Sequence, residues 1–330
     1  MTEFLKKYDY YKSIVDKILM EVTVDKKPDS LYKPIDYILS WKGKRIRPSL
    51  LIFSCESMGG NPEKSFNAAA AIEILHNFTL VHDDIMDNAD TRRGRETIHK
   101  KWNTDTAILA GDEMIGLAYS LLAKTKSENI SEIFQTFTNG IIEVCEGQAF
   151  DKEFEVSDNV NLDDYLMMIR KKTSRLLEVC TVIGGYIANT NSENIEVLRM
   201  YAENLGTAFQ INDDLLDLTA DELNFGKKIG GDIRERKKTY LALKANQLVT
   251  DKDDLAFLNN LFSIKKNFEI NDADINKVKN IYEKFGVIEN TRQKISDYTN
   301  KANDCLKKLK NSTDINSLVW FSEMLLNRNY

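Results

Sequence analysis

Proline is scarce and confined: Pro28, Pro34, Pro48 and Pro62 are the only four among 330 residues, all in the first fifth of the chain. Nothing after Pro62 carries the residue that most effectively interrupts a helix, so the rest of the chain is free to be helical. Cysteine is equally sparse. Cys55, Cys145, Cys180 and Cys305 lack C-x-x-C spacing, which argues against a disulfide framework or a zinc site and leaves four ordinary buried thiols. No stretch is long and apolar enough to span a bilayer, so no stable membrane insertion is expected. Met1 to Met20 break their apolar pattern with Lys6, Lys7, Asp9, Lys12, Asp16 and Lys17, unlike a secretory signal, and a cytoplasmic location is the expectation. A basic excess is missing too. With 45 Lys and Arg against 51 Asp and Glu, the net charge of −6 disfavours a nucleic-acid surface, so any anionic ligand must be met locally.

At 42% hydrophobic residues the chain can bury a large core, and a single domain over residues 1–330 is expected. Apolar residues recur at three and four spacing from Ile130 through Ile133, Phe137, Ile141 and Val144, and again from Leu198 through Tyr201, Leu205, Ala208, Ile211 and Leu215. These are the marks of bundle helices. Alternating strand patterns are few and no Gly-rich phosphate loop follows a strand, so the expected class is all-α. Connections are expected near residues 61–64, 124–129, 156–161 and 189–194, with a longer charged loop from Thr219 to Lys238.

Two segments repeat one design, His82-Asp83-Asp84-Ile85-Met86-Asp87 and Asn212-Asp213-Asp214-Leu215-Leu216-Asp217. On a helix advancing about 100° per residue, the first and third Asp fall about 40° apart on one face, with the middle Asp at its edge. Two carboxylates about 5 Å apart cost each other about 1 kcal/mol in water and several in a protein cleft. A cation should bind there. The apolar Ile85-Met86 and Leu215-Leu216 suggest packed helices rather than solvated acidic faces. The alternating oxygen ligands and Gly turn of a calcium loop are absent, and oxygen-only donors suit Mg²⁺, which prefers a few carboxylates plus substrate phosphates. Basic residues adjoin: Lys44, Arg45 and Arg47; Arg92 and Arg93; Lys171 and Lys172, which with Thr173 are expected in an otherwise apolar helix; Lys227 and Lys237. Arginine forks match phosphate oxygens in pairs, so the ensemble reads as two diphosphate pockets. His76, His82 and His99 lack the i, i+4 spacing of a helical metal pair, and a His-Asp metallohydrolase would need more histidines.

Glu73-x-x-His76 leading into Phe78-Thr79-Leu80-Val81-His82-Asp83-Asp84-x-x-Asp87 and Arg92-Arg93-Gly94 resembles the first aspartate-rich motif of the trans-isoprenyl diphosphate synthases. Phe209-Gln210 with Asp213-Asp214-x-x-Asp217 resembles the second. Gly43-Lys44-Arg45-x-Arg47-Pro48, Glu146-Gly147-Gln148, Lys172-Thr173 and the loop from Gly226-Lys227 to Thr239 also match in order and spacing, over roughly residues 35–245. The resemblance implies an isoprenoid-synthase-type helical bundle around a central cavity, a homodimer, and about three Mg²⁺ per active site. It departs from the family where Arg236 stands for the usual Gly before the loop's Lys-Thr, where Arg95-Glu96 replaces a customary Pro, and where the carboxyl end lacks a strongly basic tail.

By this resemblance Asp83, Asp87 and Asp213 hold metal, with Asp84, Asp214 and Asp217 completing the catalytic triplets. Arg92, Lys172, Lys227 and Lys237 would meet the allylic diphosphate, and Lys44, Arg47, His76 and Arg93 the isopentenyl diphosphate. Thr173 and Gln210 would contact the cationic intermediate, and Phe209 would line its apolar side. Phe78 and Thr79, five and four places before the first Asp, would set chain length, and one aromatic followed by a small residue resembles archaeal-type geranylgeranyl synthases. Farnesyl diphosphate is the runner-up product. A terpene cyclase would pair its second metal site differently from Asp213, Asp214 and Asp217, and a non-catalytic regulatory subunit should have lost part of a triplet.

Overall fold

The computed structural model describes residues 2–219, 229–263 and 268–327. Its chain divides into two compact units, residues 1–138, 179–199 and 308–321 in the first and residues 139–178, 200–307 and 322–330 in the second. Among the described residues the only strands are two of two residues each, so the all-α expectation holds.

In the first unit α1 (Thr2–Glu21) and α2 (Asp29–Leu39) precede α3 (Ile46–Ser57), whose Leu50, Leu51, Ile52 and Phe53 are all buried. A helix apolar on every side belongs in a core. Pro34 sits inside α2 instead of breaking it, removing one internal hydrogen bond while its ring is buried. α4 (Phe66–Met86) packs on α3, and its run Ala68–Ala71 is fully buried. After a short hairpin and the turn α5 (Ile98–Lys101), α6 (Thr104–Leu122) lies along α4. An added Cβ on Gly184 would come 2.5 Å from the Leu51 carbonyl, so only glycine permits that backbone crossing.

The predicted periodic segments are α7 (Ile130–Glu155) and α10 (Ser192–Thr219). Between them lie α8 (Leu162–Ile169), opened by an Asn161–Asp164 capping box, and α9 (Arg175–Ile187). In the second unit Tyr165, Met168, Ile169, Ile211, Tyr240 and Leu243 form one apolar cluster. Another joins Leu215 and Leu218 of α10 to Leu241, Leu258, Val278, Tyr282 and Val287. These come from α12 (Tyr240–Leu248), α13 (Lys252–Leu261), α14 (Asp272–Lys284) and α15 (Val287–Leu306), which follow the single turn α11 (Gly231–Arg234). The last helix, α16, spans Asn316–Asn327.

Four expectations need correction. Residues 219–238 are not one loop, because α11 interrupts them after the undescribed residues 220–228. Cys145 is exposed, not buried, on the same open side of α7 as Ile142, since an apolar period locates a stripe but not its edges. Met86 is exposed because α4 ends there, with no further turn to cover it. Lys171, Lys172 and Thr173 lie not in a regular α-helix but in a π-helical turn, Arg170–Ser174, between α8 and α9.

Candidate active site

The second triplet lies near the end of the described part of α10, and the first sits at the C-terminal end of α4, where the helix dipole already concentrates negative charge. Carboxylates there add to the helix dipole instead of opposing it, which favours a bound cation. Within each triplet the middle residue differs from its neighbours. Asp84 is buried and takes a 2.7 Å ion pair from Arg92 Nε, while Asp83 is half-buried and Asp87, the C-cap of α4, is exposed. Burial raises the Asp84 pKa despite Arg92. In the second unit Asp214 is buried and accepts from Tyr165 Oη at 2.6 Å, Gln210 Nε2 at 3.0 Å and the Tyr240 backbone N–H at 3.2 Å, while Asp213 and Asp217 are half-buried.

The basic residues of the first unit form their own cluster. Directly after Asp87 the chain makes a hairpin, β1 (Thr91–Arg92) against β2 (Arg95–Glu96), whose turn residues Arg93 and Gly94 both have positive φ, 53° and 74°. This is the two-residue turn whose twist suits a hairpin. The Arg93 guanidinium lies so near Gly43 that an added Cβ there would sit 3.0 Å from it. Arg47 Nη1 is 3.2 Å from His76 Nε2, and Arg47 Nε is buried without a partner among the described residues. Burial lowers the pKa of Arg47, and Arg93 lowers it further. His76 is held well below its usual value by burial and then by Arg47, Arg93, Arg92 and Arg45, so it is a neutral imidazole among guanidiniums. An anion would relieve this crowding. Arg45 stands apart: it is buried, 2.7 Å from both Asp16 and Glu73, and donates to the Leu39 and Trp41 carbonyls. Lys44 is exposed, its carbonyl accepting from the Tyr8 hydroxyl.

Phe78 is buried with its ring edge-on to His82 at 4.7 Å, and Thr79 is half-buried with its hydroxyl donated to the His76 carbonyl at 2.8 Å. In the second unit Lys172 Nζ pairs with Asp151 at 2.5 Å, and Thr173 Oγ1 donates to Gln210 Oε1 at 2.8 Å. Phe209 is half-buried on α10. Lys237 lies 2.6 Å from Glu235 and 3.7 Å from Asp232, whereas Lys227 lies outside the described residues.

Sequence reasoning missed Asp232. Its backbone N–H donates to Asp217 Oδ2 at 3.0 Å, and burial followed by the charges of Asp214 and Asp217 raises its pKa. It is a fourth carboxylate beside the second triplet, concealed fifteen residues downstream in a charged stretch. Tyr165 carries no signal in the sequence, and only its contact with Asp214 marks it. No three His, Cys, Asp or Glu side chains among the described residues form a preassembled metal cage. The donors nevertheless fit a hard divalent ion, being carboxylates alone, with the first set at the C-terminus of α4 and with Asp214 and Asp217 adding to the burial that raises the Asp232 pKa.

The polyprenyl synthetase family model matches residues 28–285. The chain belongs to the polyprenyl synthetase family. It is 36% identical to the geranylgeranyl diphosphate synthase of Sulfolobus acidocaldarius, covering 97% of this chain and 98% of that one. It is 32% identical to the geranylfarnesyl diphosphate synthase of Natronomonas pharaonis over 97% of this chain and 96% of that one. Its fold matches the crystal structure of the geranylgeranyl pyrophosphate synthetase from Pyrococcus horikoshii with a TM-score of 0.91, at 34% identity and 99% coverage of both. This polyprenyl synthetase is a chain-elongating prenyltransferase. Among its described residues no helix is long and apolar enough to cross a membrane.

Proposed function

We propose that this prenyltransferase condenses isopentenyl diphosphate with allylic diphosphates in an Mg²⁺-dependent reaction and stops at geranylgeranyl diphosphate, twenty carbons. The observation that carries the reading is the Arg47–His76–Arg93 cluster, a crowded group of cationic and neutral donors that a diphosphate would neutralise. The names of the Sulfolobus and Pyrococcus relatives support the product, as does the pairing of aromatic Phe78 with small Thr79. The protein works as a homodimer in the cytoplasm.

Asp83, Asp87 and Asp213 are the residues to hold metal, about three ions per site. Mg²⁺ when bound supplies charge neutralisation to the allylic diphosphate as it leaves. Lys44, Arg47, His76 and Arg93 bind the isopentenyl diphosphate, with neutral His76 able to donate one N–H. Arg92, Lys172, Lys227 and Lys237 draw the departing diphosphate away. The allylic C–O bond breaks, the isopentenyl double bond attacks the allylic carbon, and the proton lost afterwards goes to the released diphosphate. Thr173 and Gln210 present oxygen dipoles to the allylic cation and Phe209 excludes water. No side chain acts as a nucleophile, so positioning and electrostatics supply the catalysis. The test is incubation with labelled isopentenyl diphosphate and each allylic starter, with and without EDTA, followed by chromatography. A twenty-carbon product that disappears with EDTA and returns with Mg²⁺ is expected. A different chain length refutes the product, and EDTA-insensitive turnover refutes the metal.

A further inference from the structure

We propose that Tyr165 is a positioning residue for prenyl transfer: it pins the Asp214 carboxylate and thereby fixes the direction of a hydrogen-bond chain that runs through Gln210 to Thr173. The inference rests on the reading above, in which Thr173 faces the allylic cation. The chain lies wholly within the second unit. Tyr165 Oη donates to Asp214 Oδ2 at 2.6 Å, Gln210 Nε2 donates to Asp214 Oδ1 at 3.0 Å, and Thr173 Oγ1 donates to Gln210 Oε1 at 2.8 Å.

The direction follows from which groups can only accept. A carboxylate is an acceptor, so the Gln210 atom facing it must be the amide nitrogen, and the oxygen of that amide must face Thr173. Thr173 then spends its one hydrogen on Gln210, and its remaining lone pairs are what it can offer any neighbour. A threonine free to rotate could instead present its hydrogen, which a cation repels. The Tyr240 backbone N–H donates to the same Asp214 oxygen as Tyr165, at 3.2 Å, and cannot reverse its polarity. It is the longer of the two bonds. Without the phenol, Asp214 could turn in its buried site and Gln210 could swing with it. Tyr165 is itself buried, so no bulk water stands in for the lost donor.

The backbone fixes the far end of the chain. Thr173 belongs to the π-helical turn Arg170–Ser174, a local rearrangement that re-aims side chains. The turn approaches two glycines closely, since a Cβ on Gly147 would lie 2.7 Å from Lys172 Cα and one on Gly206 would lie 2.5 Å from Ser174 Cα. With backbone and hydroxyl both held, the orientation of Thr173 is set before substrate arrives, which is the condition for electrostatic stabilisation without reorganisation.

The test is a double-mutant cycle on kcat with Tyr165→Phe, Thr173→Val and the two combined, in the Mg²⁺-loaded enzyme. Tyr165→Phe should lower kcat on the order of tenfold, with KM for both diphosphates within about twofold. The double variant should be no slower than Thr173→Val within about twofold, because a side chain without a hydroxyl has no direction to set. Multiplicative losses, or an unchanged kcat in Tyr165→Phe accompanied only by a lower Tm, would overturn the inference. If Tyr165→Phe melts below the assay temperature, Asp214→Asn replaces it: its carboxamide permits either amide orientation, and the same sub-multiplicative pattern is required. A wild-type enzyme that transfers no prenyl group defeats the underlying reading and this inference with it. An active wild type with a multiplicative cycle defeats the inference alone.

Discussion

Gly147→Ala should damage this enzyme far beyond the size of a methyl group. The added Cβ would lie 2.7 Å from Lys172 Cα and 2.8 Å from the Lys171 carbonyl carbon, and nearer still to Lys172 N, whereas ordinary contact begins at 3.4 Å. All three are backbone atoms, so no side chain can rotate away, and the π turn must retreat from α7 by roughly 0.5–1 Å. Forced expansion of a packed contact costs about 1–3 kcal/mol, against a gain of up to about 1 kcal/mol for alanine over glycine in a helix. A net loss of about 1–2 kcal/mol follows. The retreat would stretch the 2.8 Å Thr173–Gln210 bond toward the limit of a hydrogen bond, and misplacement by about 1 Å can cost on the order of a hundredfold in rate. Urea unfolding and steady-state kinetics measure the two effects, with Gly116→Ala as control. Gly116 is exposed on α6 with nothing within 4 Å of its would-be Cβ, so alanine there should stabilise by about 0.5–1 kcal/mol and leave kcat unchanged. If both substitutions behave alike, the close approach does not constrain the π turn.

The remaining expectations test the other clusters. Asp83→Ala and Asp213→Ala should each lower turnover by several orders of magnitude, since a neutralised leaving group is worth several kcal/mol, and near-normal rates in either would refute its role. Arg45→Ala should cost about 3–5 kcal/mol of stability by stranding buried Glu73, while the KM of enzyme that still folds stays near wild type; a large KM effect without destabilisation would make Arg45 a ligand residue. His76, held well below 6.5 when folded, resists a proton that the unfolded chain accepts, so stability should decline as pH falls below about 6.5. His76→Gln should flatten that limb in pH-dependent unfolding, and an identical slope would contradict it. Phe78→Ala should lengthen the product by opening volume and Thr79→Phe should shorten it by filling volume; unchanged chromatograms from both would move the stop elsewhere.

How much could be read from the sequence depended on the range of the interaction. The helices through Ile133, Phe137 and Val144, and through Tyr201, Ala208 and Leu215, were legible because a three-and-four period is local. Both triplets were legible because repeated carboxylates in apolar surroundings conflict with burial. The π turn at Arg170–Ser174 was not, since the close approach of Gly147 and Gly206 that accommodates it comes from distant sequence. The role of Arg45 as a structural ion pair was hidden in a basic cluster that read as phosphate-binding. Arg236 is instructive. It stands where the family has glycine and adopts φ 54°, the conformation glycine reaches without strain. Its side chain offsets that cost by donating to the Leu261 and Phe268 carbonyls and stacking over the Phe268 ring.

The inner and outer members of each triplet divide the work differently than equal spacing suggests. Helix geometry placed Asp84 and Asp214 at the edge of a shared face, but each is the buried member, turned to donors of its own unit: Arg92 for one, Tyr165, Gln210 and Tyr240 for the other. The middle carboxylates are thus held by protein donors, while the proposed reading assigns the metal to Asp83, Asp87 and Asp213. The middle residues still matter. An unpaired buried carboxylate costs several kcal/mol, so each holds its donor in place as firmly as the donor holds it. Through that mutual hold Asp84 fixes the arginine that opens the β-hairpin, and Asp214 ties α10 to α8 and to the start of α12.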